Sequence, residues 1–153
     1  MKKILVVDDE PQIRMLVRHT LAMHGYEIIE AGDGIEAIAA AETELPDLVI
    51  LDVMMPGING HDVRTRLRAM PGTAEIPVLF LSAAGTFEEQ RQQMASDANT
   101  DYLAKPFSTA DLAEHVGFML DPDKREKFLE DRGMREARLS KIVEIMHRDR
   151  YSE

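Results

Sequence analysis

Three acids, one hydroxyl and one ammonium stand at the ends of short apolar runs. Ile4-Leu5-Val6-Val7 leads into Asp8-Asp9, Leu48-Val49-Ile50-Leu51 into Asp52, Val78-Leu79-Phe80-Leu81 into Ser82, and Tyr102-Leu103-Ala104 into Lys105. Carboxylates brought together repel one another and become tolerable when a cation sits among them. All-oxygen ligation suits a hard divalent ion such as Mg²⁺, which keeps several waters and uses few protein carboxylates. Asp8, Asp9 and Asp52 therefore predict a Mg²⁺ site. Lys105, a compact cation on a flexible stem, and Ser82, a hydroxyl donor, add the complementary charge for a phosphoryl group next to the metal. A carboxylate can accept that phosphoryl as an acyl phosphate, and Asp52 is the candidate nucleophile because it ends the middle run.

These residues can act together only if the chain brings the run ends to one place. Short runs rich in branched residues, separated by helix-period segments, are the pattern of strands in a parallel sheet buried on both faces. Parallel strands deliver their C-terminal ends to one edge, which is where open α/β sheets bind ligands. The predicted strands are 2–7, 27–31, 48–51, 77–81 and 102–104. A first helix opens at Glu10-Pro11, keeps Ile13, Leu16, Val17 and Leu21 on one face and closes at Gly25. Further helices are predicted over 35–44, stopped before Pro46, over 60–70, closed by Pro71-Gly72, and over 87–96. A fifth runs from Ser108, whose pairing with Asp111 resembles a capping box, through Leu120. The alternation is (βα)₅, and right-handed crossovers then force a doubly wound α/β sheet.

Beyond it, Asp121-Pro122 reads as an N-cap followed by proline at the first helical position. Two helices are predicted there, 122–132 and 134–149, with Gly133 between them and Leu139, Ile142, Val143 and Met146 along one face of the second. The expected organisation is a domain over 1–120 and a C-terminal helical extension over 121–153. The extension is expected to serve dimerisation or partner docking.

Bulk properties narrow the function classes. Hydrophobic residues make up 44% of the 153 residues and charged residues 30%, a globular balance. With no cysteine, thiol catalysis, thiolate metal sites and disulfides are excluded. The basic start Met1-Lys2-Lys3 precedes a run that stops after four residues at Asp8-Asp9-Glu10, too short for a signal peptide core. No run is long enough to span a membrane, so a cytoplasmic location is expected. Residues 1–120 carry 9 Lys+Arg against 19 Asp+Glu, and 121–153 carry 9 against 9. No basic stripe emerges, and direct nucleic-acid binding is not expected.

Four motifs in order carry a resemblance. Val7-Asp8-Asp9-Glu10, Leu51-Asp52-Val53-Met54-Met55-Pro56-Gly57 with Gly60, Ile76-Pro77-Val78 through Leu81-Ser82-Ala83, and Asp101-Tyr102-Leu103-Ala104-Lys105-Pro106-Phe107 resemble the CheY-like receiver domain of bacterial two-component response regulators. The resemblance covers residues 1 to about 120. It implies a flavodoxin-like five-stranded sheet in the order 2-1-3-4-5. It also implies that Asp52 accepts a phosphoryl group from a sensor histidine kinase or phosphotransfer protein. Asp9 and the backbone carbonyl of Met54 would bind Mg²⁺ directly, with Asp8 acting largely through water. Ser82 and Lys105 would hold phosphoryl oxygens, and Tyr102 would turn inward as Ser82 is drawn toward the phosphate. The outcome would be a phospho-accepting switch rather than an enzyme acting on other molecules. It would change the face made by the fourth helix, fifth strand and fifth helix, through which the chain could also form a homodimer.

Some residues depart from the family pattern. Ser82 to Lys105 spans one position more than is common, which implies an unusual fourth-helix region, and serine replaces the commoner threonine. Met54 and Ala84, at positions that tune access of hydrolytic water in the family, are both apolar, implying slow self-dephosphorylation. One rival reading is a receiver fragment of a larger regulator such as a diguanylate cyclase or phosphodiesterase. Another is an aspartyl-nucleophile phosphatase, whose chemistry also needs Mg²⁺ and a lysine. Gly32-Asp33-Gly34-Ile35-Glu36-Ala37 mimics a dinucleotide fingerprint but lies after the second strand, not the first. The five histidines lack metal spacing and read as solvated helix positions.

Overall fold

The computed structural model describes residues 1–83, 99–121 and 123. Five strands, β1 (Lys3–Val7), β2 (Glu27–Ala31), β3 (Leu48–Asp52), β4 (Val78–Ala83) and β5 (Thr100–Lys105), form one parallel sheet in the order β2-β1-β3-β4-β5. Among the described residues the helices are α1 (Pro11–Ala22), α2 (Gly34–Glu44), α3 (Gly60–Ala69) and α4 (Thr109–Leu120). The helix α4 is the fifth of the predicted alternation. The predicted helix over 87–96 and both predicted tail helices lie outside the described residues. By its contacts the chain divides into two units, Met1–Leu120 and Asp121–Glu153.

Alternation along the strands builds two cores, because successive side chains point to opposite faces. On one face Leu5, Val7, Val49, Leu51 and Phe80 pack with Ala37 and Ala41 of α2 and Val63 and Leu67 of α3. On the other, Ile4, Val6, Leu48, Ile50, Leu79 and Leu81 pack with Val17 and Leu21 of α1 and Leu112, Val116 and Met119 of α4. All five residues of β3 are buried, as the central strand of a doubly covered sheet requires. The edge strand β2 keeps one buried residue of five, Ala31.

Local signals set the helix ends. Pro11 occupies the first turn of α1, where its missing N–H costs nothing. Asp33 and Asn59 cap α2 and α3, accepting from the N–H groups of Glu36 at 2.8 Å and Asp62 at 2.9 Å. Asp33, the second residue of the apparent dinucleotide fingerprint, is thus a helix cap. Ser108 accepts from Asp111 N–H at 3.0 Å, the predicted cap of α4. The helix α2 ends at Leu45, which takes a left-handed φ of 47° before Pro46, whose ring disfavours a helical residue in front of it.

The largest boundary differences from expectation fall in β4 and β5. The strand β4 runs through Ala83, so Ser82 lies within it, and β5 begins at Thr100 rather than Tyr102. Pairing extends both strands past their apolar cores, because Ser82 aligns with Ala104 and Ala83 with Lys105.

Candidate functional site

The sheet order reverses between β1 and β3, and the crevice beyond that switch point is where such a sheet binds ligands. The residue after β1 is Asp8, and β3 ends on Asp52. Asp8 is completely buried. Its N–H donates to the Ala31 carbonyl at 3.3 Å, and its Oδ1 accepts from Glu10 N–H at 2.9 Å. Its Oδ2 accepts from Lys105 Nζ at 3.2 Å. The same ammonium lies 3.5 Å from Oδ1 of Asp52, which is 4% exposed and also accepts from Met54 N–H at 3.2 Å. Lys105 thus crosses from β5, at the sheet margin, to bridge two buried carboxylates.

The charges follow from that geometry. Burial, followed by the charge of Asp8, pushes the Asp52 carboxyl up to about 6, against the pull of Lys105 and the Met54 N–H. Burial works against the charge on Lys105, but Asp52 and Asp8 outweigh it and raise its pKa. Two buried acids sharing one ammonium leave an excess of negative charge. The exposed Asp9 and Glu10 each bring a carboxylate oxygen within 4.8 Å of one belonging to the buried Asp8. This hard oxygen set with surplus negative charge and an open side fits a hard divalent cation.

Asp8, Asp9, Asp52 and Lys105, singled out from the sequence, converge at the C-terminal edge. Ser82 follows Leu81, the register partner of Asp52, and is buried, its hydroxyl donating to the Ala83 carbonyl at 3.3 Å. Met54 follows in the loop after β3 with its side chain exposed. Tyr102 is buried and stacked on Phe80, ring centroids 5.1 Å apart. Burial raises its phenol to about 12 while Arg64 pulls the other way.

Residues 4–117 match the response regulator receiver domain. The chain belongs to that family. A DNA-binding dual master transcriptional regulator, RpaA of Synechocystis, is 42% identical over 120 residues, which cover 78% of this chain and 49% of the relative. The phosphate regulon transcriptional regulatory protein PhoB of Rhizobium meliloti is 40% identical, with 81% and 54% covered. The receiver therefore spans about half the length of these curated relatives. Among solved structures, the chemotaxis protein CheY4 of Vibrio cholerae is 36% identical with a TM-score of 0.71, covering 76% of this chain and 97% of that one. The receiver domain of NtrX from Brucella abortus is 32% identical with a TM-score of 0.70, covering 77% and 98%.

The family and the flavodoxin-like order agree with the sequence reading. The absence of direct nucleic-acid binding finds no support, because a curated relative is named as DNA-binding. No helix among the described residues is long and apolar enough to cross a membrane.

Glu10 and Gly60 belong to the quoted motifs without an assigned role, Arg14 was not singled out, and His61 was read otherwise. Glu10 joins the acid group, visible in hindsight as a third consecutive acid. Gly60 lies so close to β3 that a Cβ there would run into the Asp52 backbone carbonyl and stand 3.0 Å from Val53 Cα. Arg14 donates to the Asp8 carbonyl at 2.6 Å, a contact no local pattern reveals. His61 is not a solvated helix position: its ring lies 4.9 Å from Phe80, and burial, then Arg64, lower its pKa.

Proposed function

We propose that this receiver is a two-component phosphorylation switch in which Asp52 takes a phosphoryl group from a phosphohistidine on a sensor kinase or phosphotransfer protein. The observation that carries the reading is the Lys105 ammonium, 3.2 Å from Asp8 and 3.5 Å from Asp52 at the switch-point edge. A cation beside the nucleophile is where an incoming phosphoryl oxygen would need one. One oxygen of Asp52 bonds to phosphorus as the P–N bond breaks, and the bonding pair returns to the donor imidazole. Asp8, Asp9 and the Met54 backbone carbonyl would hold Mg²⁺, which supplies charge neutralisation for the phosphoryl oxygens. Lys105 turns from the carboxylates to one phosphoryl oxygen, and the Ser82 hydroxyl donates to another.

The new charge biases a two-state element. Ser82, drawn toward the phosphate, shifts β4 against β5, and Tyr102 on β5 takes up the change from its stack on Phe80. The surface of β5 and α4 then reads differently to a protein partner or a second copy. Residues 121–153 extend that output as a docking or dimerisation segment. The chain acts through its partners and performs no chemistry on other molecules beyond its own phosphorylation cycle.

A second reading has its own support: the chain spans about half the length of its curated transcriptional-regulator relatives. In that reading it is the receiver portion of a longer regulator, and the switch is the same.

Incubation with Mg²⁺ and the phosphoryl mimic beryllium fluoride tests the proposal, with oligomeric state and amide NMR shifts as readouts. Wild type is expected to respond and Asp52→Asn to stay unchanged. A wild type that neither binds the mimic nor responds overturns it.

A further inference from the structure

The acid loop is held from behind by a charged strut. Arg14, one turn into α1, donates through Nη1 to the backbone carbonyl of Asp8 at 2.6 Å. Its Nε lies 3.6 Å from Oε1 of Glu30 on β2, and the other oxygen of Glu30 accepts from Arg18 Nη1 at 2.8 Å. The Arg14 side chain is 20% exposed and that of Arg18 61% exposed, so the inner arginine carries the contact to the loop. Gly32 leaves room for it: a Cβ on Gly32 would find Arg14 Nη1 as its nearest neighbour, at 3.4 Å.

This matters because of which atom is held. The Asp8 carbonyl belongs to the peptide plane joining Asp8 to Asp9, so fixing it fixes where the Asp9 backbone begins. The other side of Asp8 is fixed too, its N–H on Ala31 and its Oδ1 on Glu10 N–H. We propose that Arg14 is a positioning residue for divalent-metal binding: anchored by Glu30, it sets the Asp8–Asp9 peptide plane and so aims the Asp9 carboxylate. The inference rests on the Mg²⁺ reading given above. It assigns Arg14 no contact with metal or phosphate.

The sign of the effect separates positioning from plain charge. Removing a cation near an acidic site would, by Coulomb's law alone, tighten binding of Mg²⁺. Loss of a group that orients a ligand typically weakens metal affinity about 10- to 100-fold. Isothermal titration with Mg²⁺ and paramagnetic resonance titration with Mn²⁺, on the full chain at fixed ionic strength, read this directly, and circular dichroism reports folding. Arg14→Ala is expected to weaken Mg²⁺ at least about tenfold. Arg14→Lys is expected to recover part of the loss, since an ammonium can reach the carbonyl but cannot also fork to Glu30. Glu30→Gln is expected to fall between, and Arg18→Ala to stay within about twofold.

A folded Arg14→Ala protein with wild-type or tighter affinity overturns the proposal, as does an equal loss in Arg18→Ala. If Arg14→Ala does not fold, wild-type affinity in both Arg14→Lys and Glu30→Gln overturns it. A wild type that binds no Mg²⁺ sinks the site reading itself, a result distinct from a wild type that binds and an Arg14 variant that binds equally.

Discussion

Asp52 resists ionisation because burial removes its water and Asp8 lies across the same ammonium, so its carboxyl sits at about 6 instead of 3.8. A carboxyl raised in the folded state contributes stability that is fully present below its unfolded pKa and is lost as pH rises through the folded value. The loss therefore falls between about pH 4 and pH 6. In metal-free buffer, Asp52→Asn is expected to be more stable than wild type at pH 7.5 by roughly 1–2 kcal/mol, after discounting for solvent at the site. The gap should shrink toward pH 4.5. Urea denaturation at both pH values checks this, and equal stabilities at pH 7.5 would refute it. Lys105→Gln is expected to do the reverse, leaving two buried acids without their shared cation and lowering stability at pH 7.5. At this scale the candidate residues were legible because unlike chemistries stood at equivalent run ends. Arg14 was not, because a contact to a backbone carbonyl leaves no mark on residue type.

Among the elements, the junction of β3 and α3 positions the nucleophile most tightly. Gly60 starts α3 against the last residues of β3, and an added Cβ would push on the Asp52 carbonyl. Gly60→Ala is expected to cost about 1–3 kcal/mol through overpacking. Because the strain falls on Asp52, phosphorylation by a small-molecule phosphodonor should slow by about tenfold or more, as a displacement of about 1 Å can cost more than that. Unchanged kinetics would show that the strand end absorbs the strain without moving its side chain. Across β4 and β5, Tyr102 stacks on Phe80 and the His61 ring packs tilted against Phe80, linking α3 to β5. The buried Tyr102 phenol, raised to about 12, favours its neutral form, so its stability contribution is lost as pH climbs from about 10 through 12. Tyr102→Phe should therefore flatten the alkaline arm of a thermal-melting profile, and an identical profile would show that the phenol is not buried in solution. Strand and helix existence was legible from period and capping residues. The extension of β4 to Ala83 was not, because neighbouring strands supply the hydrogen bonds that carry it past its apolar run.

For the whole molecule, charge and output belong together. The formal net charge of −10 resides within residues 1–120, the part that holds the acid site. Apolar Met54 stands exposed in the loop beside Asp52, offering no group to orient a hydrolytic water. The aspartyl phosphate is expected to persist for minutes in Mg²⁺, and its loss within seconds would contradict this. Removal of 121–153 is expected to change the oligomeric state measured by sedimentation, whereas a chain that is monomeric both with and without the segment argues against its role in dimerisation. The parallel sheet, its alternation with helices and the residues at its strand ends follow from sequence, because period, branching and turn chemistry are local properties. What awaited the folded chain was which of those ends share an ammonium, which acid loses its water and which glycine touches the nucleophile's backbone. Those depend on distances between residues up to 97 positions apart, and such distances exist only once the sheet order brings β1, β3 and β5 to a common edge.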